Sequence, residues 1–431
     1  METTEKKTHV RFIVIALLFL AVTINYMDRV NFAVSTPAIQ KQFGFSIEQM
    51  GMISFVWALV YAIFNFPGGL IVDKLGLRKA ASFALGWWSI FTILTAFAYS
   101  FMSWILIRGL MGAGEAPLWP INAKTTRPWS PEGKESTAYT IPASGQFIGP
   151  AFGSILSGWI VVKFGWEWTF IIFGILGLIW VPIWYTMVRD NPKDHPLVNE
   201  RELRYIQGVS NVYSFDEKQI DKEGVIASLK LIFKTRNGIG ILLNYLTFGY
   251  VLFTFLNWLP SFMYYTFHLS IIKSATWSSI SYSAGFFGFL VSGPVNDFLV
   301  RKYGRIKGRK IGAGIPILLT VVFMCLSIVS SKAGLIPLTV GLFAASMFFM
   351  TFSSGAWSLN AVDLSRNKHE SAFVYGVYNG ILNLMGAANS LILTFIAEKL
   401  GFISAFASAI IFLIIFLIGL IFIIKDKNKG I

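Results

Sequence analysis

The chain has 431 residues, 55% of them hydrophobic and 13% charged. Soluble domains carry about 25% charged residues, so this composition excludes an ordinary water-soluble protein and points to one that spans a bilayer. The formal net charge of +14 suggests a nucleic-acid surface only until the bases are placed. They collect in the loops on one side of the apolar runs, which is what membrane topology asks of them.

In chain order, Lys6, Lys7 and Arg11 precede the first apolar run and mimic a secretion signal. No small-residue cleavage site follows, and the run is longer than a signal core, so it reads as an uncleaved first span. Twelve apolar segments are predicted, at about 12–34, 49–72, 80–99, 102–123, 137–162, 167–188, 237–264, 274–299, 311–330, 334–357, 371–397 and 402–424. Many approach the roughly 20 residues a spanning helix needs, and they are not the short alternating segments of an outer-membrane barrel. The polar stretch 189–236 separates six spans from six. The predicted fold is therefore an all-α membrane protein, with one six-helix half at 1–188, a cytoplasmic linker loop at 189–236 and a second half at 237–431.

With the N-terminus in the cytoplasm, the external loops hold only Lys41, Lys163, Lys273, Lys332 and Lys399. The C-terminus then falls in the cytoplasm as well. Two cations remain inside spans, Arg29 and Arg108, and two carboxylates join them there, Asp28 and Glu115. A charge at a helix centre costs roughly 2.5–3.5 kcal/mol on insertion scales, so intramembrane charges mark function. The four histidines lie in tails or loops, which leaves carboxylates as the groups for a proton path.

Arg108 and Glu115 are seven residues apart and share a helix face, roughly 10 Å apart along the axis. That is too far for a direct ion pair. With all four groups ionised the site is neutral, and a carboxylate ligand adds a charge that protonation of an acid offsets. A guanidinium holds a carboxylate by two parallel hydrogen bonds, so Arg29 and Arg108 are the expected anion ligands. Asp28 and Glu115 are the expected proton carriers. The same four charges also suit a structural network tying spans 1 and 4 together.

Other polar groups are placed to complete a pocket: Tyr61 in span 2, Gln146 in span 5, and Ser353, Ser354 and Trp357 in span 10. Tyr375, Asn379 and Asn383 share a face of span 11 at i, i+4, i+8. Hydroxyls and amides suit a polyol because they donate and accept. Small polar residues also serve as packing between membrane helices. The glycines at 145, 149, 153 and 158, with Pro150, give span 5 a small-residue face for close packing.

An internal repeat supports the six-plus-six division. Gly69-Leu-Ile-Val-Asp73-Lys74-Leu-Gly76-Leu-Arg78-Lys79 ends span 2, and Gly293-Pro-Val-Asn-Asp297, then Arg301-Lys302-Tyr-Gly304-Arg305, ends span 8. Repeated halves with a site between them are the build of alternating-access transporters. Asp73 and Arg78 are the expected cytoplasmic latch, with Asp297 and Arg305 as its weaker copy.

The Gly69–Arg78 motif resembles the signature of the major facilitator superfamily, with Leu77 standing where a base is usual. Asn25-Tyr-Met-Asp-Arg-Val-Asn31, Arg108-Gly-Leu-Met-Gly-Ala-Gly-Glu-Ala-Pro117, Trp129-Ser-Pro131, Gly145-Gln-Phe-Ile-Gly-Pro150 and Trp258-Leu-Pro260 resemble its anion:cation symporter family. Within that family the chain is similar to bacterial galactonate, glucarate and hexuronate carriers. The resemblance implies the major facilitator fold and proton-driven uptake of a sugar-acid anion by a monomer in a bacterial plasma membrane. It also implies substrate contacts from Tyr26, Tyr61 and Gln146, and proton roles for both acids, Glu115 being linked to substrate binding.

No phosphate-binding G-x-x-x-x-G-K-[ST] loop is present, so nothing points to ATP drive. No metal-ligand spacing of Cys or His appears, no cofactor is expected, and no nucleophile–base pair suggests an enzyme. The single cysteine, Cys325, lies in an apolar run and reads as a small core residue. The runner-up functions are an exchanger of organic anions or phosphates on the same fold, and a sensor that binds a sugar acid without moving it.

Overall fold

The structure is a computed structural model. It describes residues 7–126, 128–131, 135–207, 222–358, 360, 364 and 368–422. These are nearly all helical, as expected: α1 (Val10–Phe43), α2 (Ile47–Thr95), α3 (Phe101–Glu115), α4 (Leu118–Thr126), α5 (Glu135–Ala143), α6 (Gly145–Phe164), α7 (Trp166–Met187), α8 (Glu200–Gln207), α9 (Lys222–Lys234), α10 (Arg236–Phe267), α11 (Ile271–Tyr303), α12 (Arg305–Lys332), α13 (Ile336–Trp357) and α14 (Lys368–Phe422).

Among the described residues, nine helices are long and apolar enough to cross a membrane. Local chemistry explains why that number differs from a tally of apolar runs. The runs at 371–397 and 402–424 form one helix that bends at Gly401, and those at 49–72 and 80–99 form α2, which bends at Gly76. The run at 102–123 breaks after Glu115, just before Pro117; the run at 137–162 is interrupted locally at Ser144, two residues past Pro142, yet still counts as one span, Ala138–Phe164. Proline lacks the N–H that continues a helix.

Large apolar side chains such as Phe152, Val162, Ile179, Val329 and Ile421 point outward. Apolar exposure spread over every face suits lipid rather than water. Cys325 belongs to that outer surface and is exposed, so the expectation that it is a core residue is corrected: it sits on the exposed flank of α12.

The two glycines paired by the sequence repeat adopt one unusual conformation. Gly76 has φ 76° and ψ 164°, and Gly304 has φ 80° and ψ 163°. Side chains with a Cβ are excluded from that region. Gly165 and Gly401, each the hinge between two long helices further along, repeat it at φ 99°, ψ 161° and φ 81°, ψ 162°. α1 packs on α6, and α2 on α3 and α7; α10 packs on α14, and α13 on α11 and α12. The two groups meet through α6 with α11, α2 with α14, and α1 with α10.

The stretch 189–236, expected as a loop, contains α8 and α9. The apolar positions of α8 were hidden among charges, yet Glu202 and Ile206, one turn apart, are both buried. The Glu202 carboxylate accepts hydrogen bonds from the Thr8 hydroxyl (2.7 Å) and the Val10 amide (3.0 Å), and forms an ion pair with Arg11 at 2.8 Å. It thereby supplies the acceptor that the first turn of α1 lacks.

Candidate functional site

The four intramembrane charges converge. α1 brings Asp28 and Arg29, α3 brings Arg108 and Glu115, and all four are buried. The glycines of the Arg108–Glu115 stretch make the approach possible. A Cβ at Gly112 would lie 2.5 Å from the Trp57 carbonyl oxygen, so α3 rests directly on the α2 backbone. α1 is seated in the same way from the other side. A Cβ at Gly149 of α6 would lie 2.5 Å from the Thr23 carbonyl and 3.1 Å from the Tyr26 Cβ. Of the expected small-residue face of α6, Gly145, Gly149 and Gly153 contact α1, whereas Gly158 packs against Ile272 and Ala275 of α11.

Glu115 does not pair with Arg108, as the seven-residue spacing required. It pairs across helices with Arg29, Nε to Oε2, at 3.4 Å. The Arg29 guanidinium also lies over Tyr26 (4.3 Å), Trp57 (4.7 Å) and Tyr61 (5.0 Å). Asn25 and Trp57 flank the Glu115 carboxylate. Asp28 accepts a long hydrogen bond, 3.5 Å, from Thr92 on the second limb of α2.

Arg108 is the exception. Its Nη1 donates to the Met111 thioether at 3.1 Å, and its guanidinium lies over Phe32 (4.6 Å) and Trp57 (5.8 Å). Among the described residues no carboxylate lies within ion-pair distance of it. A desolvated cation–π contact contributes about 2 kcal/mol, while burying an ion costs several. Arg108 thus has no counter-charge in direct contact, and Glu115 and Asp28 act on it only from beyond ion-pair distance.

Arg29, Arg108, Phe32, Trp57, Ser54 and Asn257 line a cavity of about 10 Å³, the room of one water. Sites for small organic ligands run to roughly 300 Å³ or more, so this arrangement is closed around the arginines and must open to admit a substrate. A separate opening of about 630 Å³ lies near the far end of α1, lined by residues that include Gln40, Tyr265 and Glu398. It contains none of the four charges.

The polar residues expected from spans 5, 10 and 11 stand further off. Gln146 is half-buried on α6 and makes no hydrogen bond among the described residues. Ser353 and Ser354 donate to the Met350 and Thr351 carbonyls of their own helix. Trp357 packs among Tyr245, Phe248 and Phe416. The Asn383 amide donates to the Asn379 carbonyl at 2.8 Å. None of them lines the arginine cavity in this closed arrangement. Their face of α14 still reaches toward the site, because Tyr375 interacts with Tyr139 of α5, which neighbours Tyr26 and Tyr61.

Of the expected latch, Arg78 is tied to the last turn of α7 and to Asp190 just beyond it. Its amide donates to Asp190 at 2.8 Å, its Nε donates to the Tyr185 carbonyl at 2.5 Å, and its guanidinium lies over the Tyr185 ring. Asp297 is exposed, and the side chains of Asp73 and Arg305 lie outside the described residues. Of the cavity lining, Phe32, Ser54, Trp57 and Asn257 were not singled out from sequence, and Asn257 is the one that carries an amide. The signal was available: it is an amide deep in the apolar run 237–264, directly before Trp258-Leu-Pro260.

Comparison with known proteins places this geometry. The chain is similar to the probable galactarate/D-glucarate transporter GarP of Escherichia coli K12, at 26% identity over 425 residues covering 96% of this chain and 93% of that one. It is similar to the D-galactonate transporter of Escherichia coli O6:H1, at 30% identity over 399 residues covering 92% and 91%. A bacterial homologue of the human lysosomal transporter Spinster, solved in an inward-facing, unoccupied conformation, shares the fold with a TM-score of 0.71 at 16% identity, covering 97% of this chain and 95% of that one. A Major Facilitator Superfamily model matches residues 18–390; with charges gathered at the centre of a helical bundle and a fold shared from end to end, the chain belongs to that superfamily of membrane transporters.

Proposed function

We propose that this chain imports a sugar-acid anion (an aldonate, aldarate or hexuronate) by proton symport with alternating access. The observation that carries the reading is Arg108: a buried guanidinium facing a central cavity with no carboxylate partner among the described residues. Arg29 and Glu115 form its partner element. A substrate carboxylate at Arg108 sits within reach of Arg29 and competes with Glu115, and the released acid takes a proton. Asp28 is the second proton carrier. The relatives named as galactarate/D-glucarate and D-galactonate transporters favour sugar acids.

The working architecture in this reading is twelve spans with both termini in the cytoplasm of a bacterium, in halves 1–188 and 237–431 joined by 189–236. The matched glycines Gly76 with Gly304 and Gly165 with Gly401 support that division, and the base-rich loops support the orientation. Tyr26, Tyr61 and Gln146 on one half, and Ser353, Ser354, Trp357, Asn379 and Asn383 on the other, close on the polyol once the cavity has expanded. Arg78, with Asp73, holds the cytoplasmic end, and Asp297 with Arg305 repeats the device. The protein works as a monomer without a cofactor.

The test is uptake into proteoliposomes of labelled galactonate, gluconate, glucarate and glucuronate, with and without an inward proton gradient. Uptake of one acid, stimulated by the gradient and lost in Arg108→Ala, is the expected result. Uptake that ignores the gradient and needs an anion loaded inside makes the protein an exchanger. Binding without uptake makes it a sensor.

A further inference from the structure

Asn257 offers more than a place in the cavity wall. It begins a polar stripe on α10, with Ser261 and Tyr265 following at i+4 and i+8, on one helix face. That face runs along α1. Ser261 donates to the Ala33 carbonyl at 3.5 Å, and the Tyr265 hydroxyl donates to the Gln40 side chain. Two members of the stripe thus have partners on α1. The third does not: the Asn257 Nδ2 is buried with no hydrogen-bond partner among the described residues, in the wall that also holds Arg29 and Arg108. Buried amide donors without partners are costly, at about 1–3 kcal/mol each, so such a group calls for an explanation.

We infer that Asn257 is a specificity-determining residue, whose amide donates to the oxygen borne by the carbon next to the substrate carboxylate. The inference rests on the sugar-acid reading above. The cavity is small, so an anion held by Arg108 brings its α-carbon alongside Asn257 as the site expands around it. In an open-chain sugar acid that carbon carries a hydroxyl. The donor comes from α10 while both arginines come from α1 and α3, so this contact is made only when α10 and α1 are together. Recognition of the α-oxygen and closure of the α1–α10 seam become one event, and an acid without that oxygen binds the arginines but leaves the amide unpaired.

The experiment compares uptake of galactonate and glucarate with that of their 2-deoxy counterparts, in wild type and in Asn257→Ala. Losing one neutral hydrogen bond corresponds to about five- to tenfold in affinity. Wild type is expected to favour the hydroxylated acid by at least that factor, and Asn257→Ala to raise its KM while leaving the 2-deoxy KM and both maximal rates nearly unchanged. Asn257→Thr, which restores a donor, is expected to recover part of the preference. Discrimination that survives in Asn257→Ala overturns the inference and leaves sugar-acid transport standing. Equal loss for both acids also overturns it, because it assigns Asn257 to packing. A wild type that takes up none of the acids overturns the transport reading and this inference with it.

Discussion

Arg29 and Arg108 are both buried guanidiniums at one cavity, yet their surroundings divide the work. Arg29 has Glu115 at 3.4 Å and three aromatic rings; Arg108 has a thioether and ring faces. Removing Arg108 is therefore expected to abolish anion binding, with initial uptake falling about 100-fold or more. Arg108→Lys is expected to rescue little, because an ammonium cannot reproduce the bidentate fork. Glu115→Gln frees Arg29 from its counter-charge. That variant is expected to keep binding the anion while uptake loses its response to a proton gradient, measured as equal rates with and without it. Full gradient-driven uptake by Glu115→Gln would remove Glu115 from the coupling scheme. These charges were legible from sequence because a charge inside an apolar run stands out at once. Their pairing was not: residue spacing forbade Arg108–Glu115 but said nothing of Arg29, which sits 86 positions from Glu115 on another helix. Asn257 escaped because a neutral amide in an apolar span looks like ordinary helix packing.

At the scale of the element, helices α1 and α6 are joined backbone to backbone. Gly149→Leu places a side chain where a Cβ already meets the Thr23 carbonyl at 2.5 Å. Overpacking of this kind costs about 1–3 kcal/mol, so a lower melting temperature in detergent and reduced uptake are expected. Gly341→Ala in α13 is the contrast, since a Cβ there meets nothing within 4 Å, and it is expected to leave the melting temperature unchanged or raise it. The link between α8 and α1 depends on one carboxylate. Burial disfavours the charge on Glu202, but the donors from Thr8, Val10 and Arg11 outweigh it and hold its pKa below the ordinary value. The stabilisation is thus complete above the unfolded pKa of roughly 4.3 and fades as pH falls through the lower folded value. Hydrogen exchange at the α1 N-terminus is expected to be flat from pH 8 to 5, after correction for intrinsic rates, and to lose protection only below pH 4. Glu202→Gln is expected to lose part of that protection at every pH. The helical runs themselves followed from apolar length, whereas α8 was hidden because its buried face consists of a glutamate and an isoleucine in a charged segment.

At the scale of the molecule, the bend glycines show what sequence could and could not give. The Gly76 and Gly304 loops were visible as repeated motifs, and their matching backbone angles follow from the same need for a residue without a Cβ. Gly165 and Gly401 carry no such motif, and their equivalence appears only in three dimensions. The closed arrangement joins α1 to α10 through Ser261 and Tyr265. Cysteines at Ala33 and Ser261, bridged by a short thiol-reactive linker, are expected to stop uptake, and a cleavable linker is expected to restore it on reduction. Continued uptake with the bridge intact would show that this seam stays shut throughout the cycle. The chain suits such work by its composition. Its lone thiol sits on the lipid-facing flank of α12, outside the core and far along the chain from all four charges. A single fluorophore or spin probe attached there needs no prior removal of native cysteines, and one Ser replacement at 325 yields a thiol-free background on which distance rulers can be drawn between any two helices.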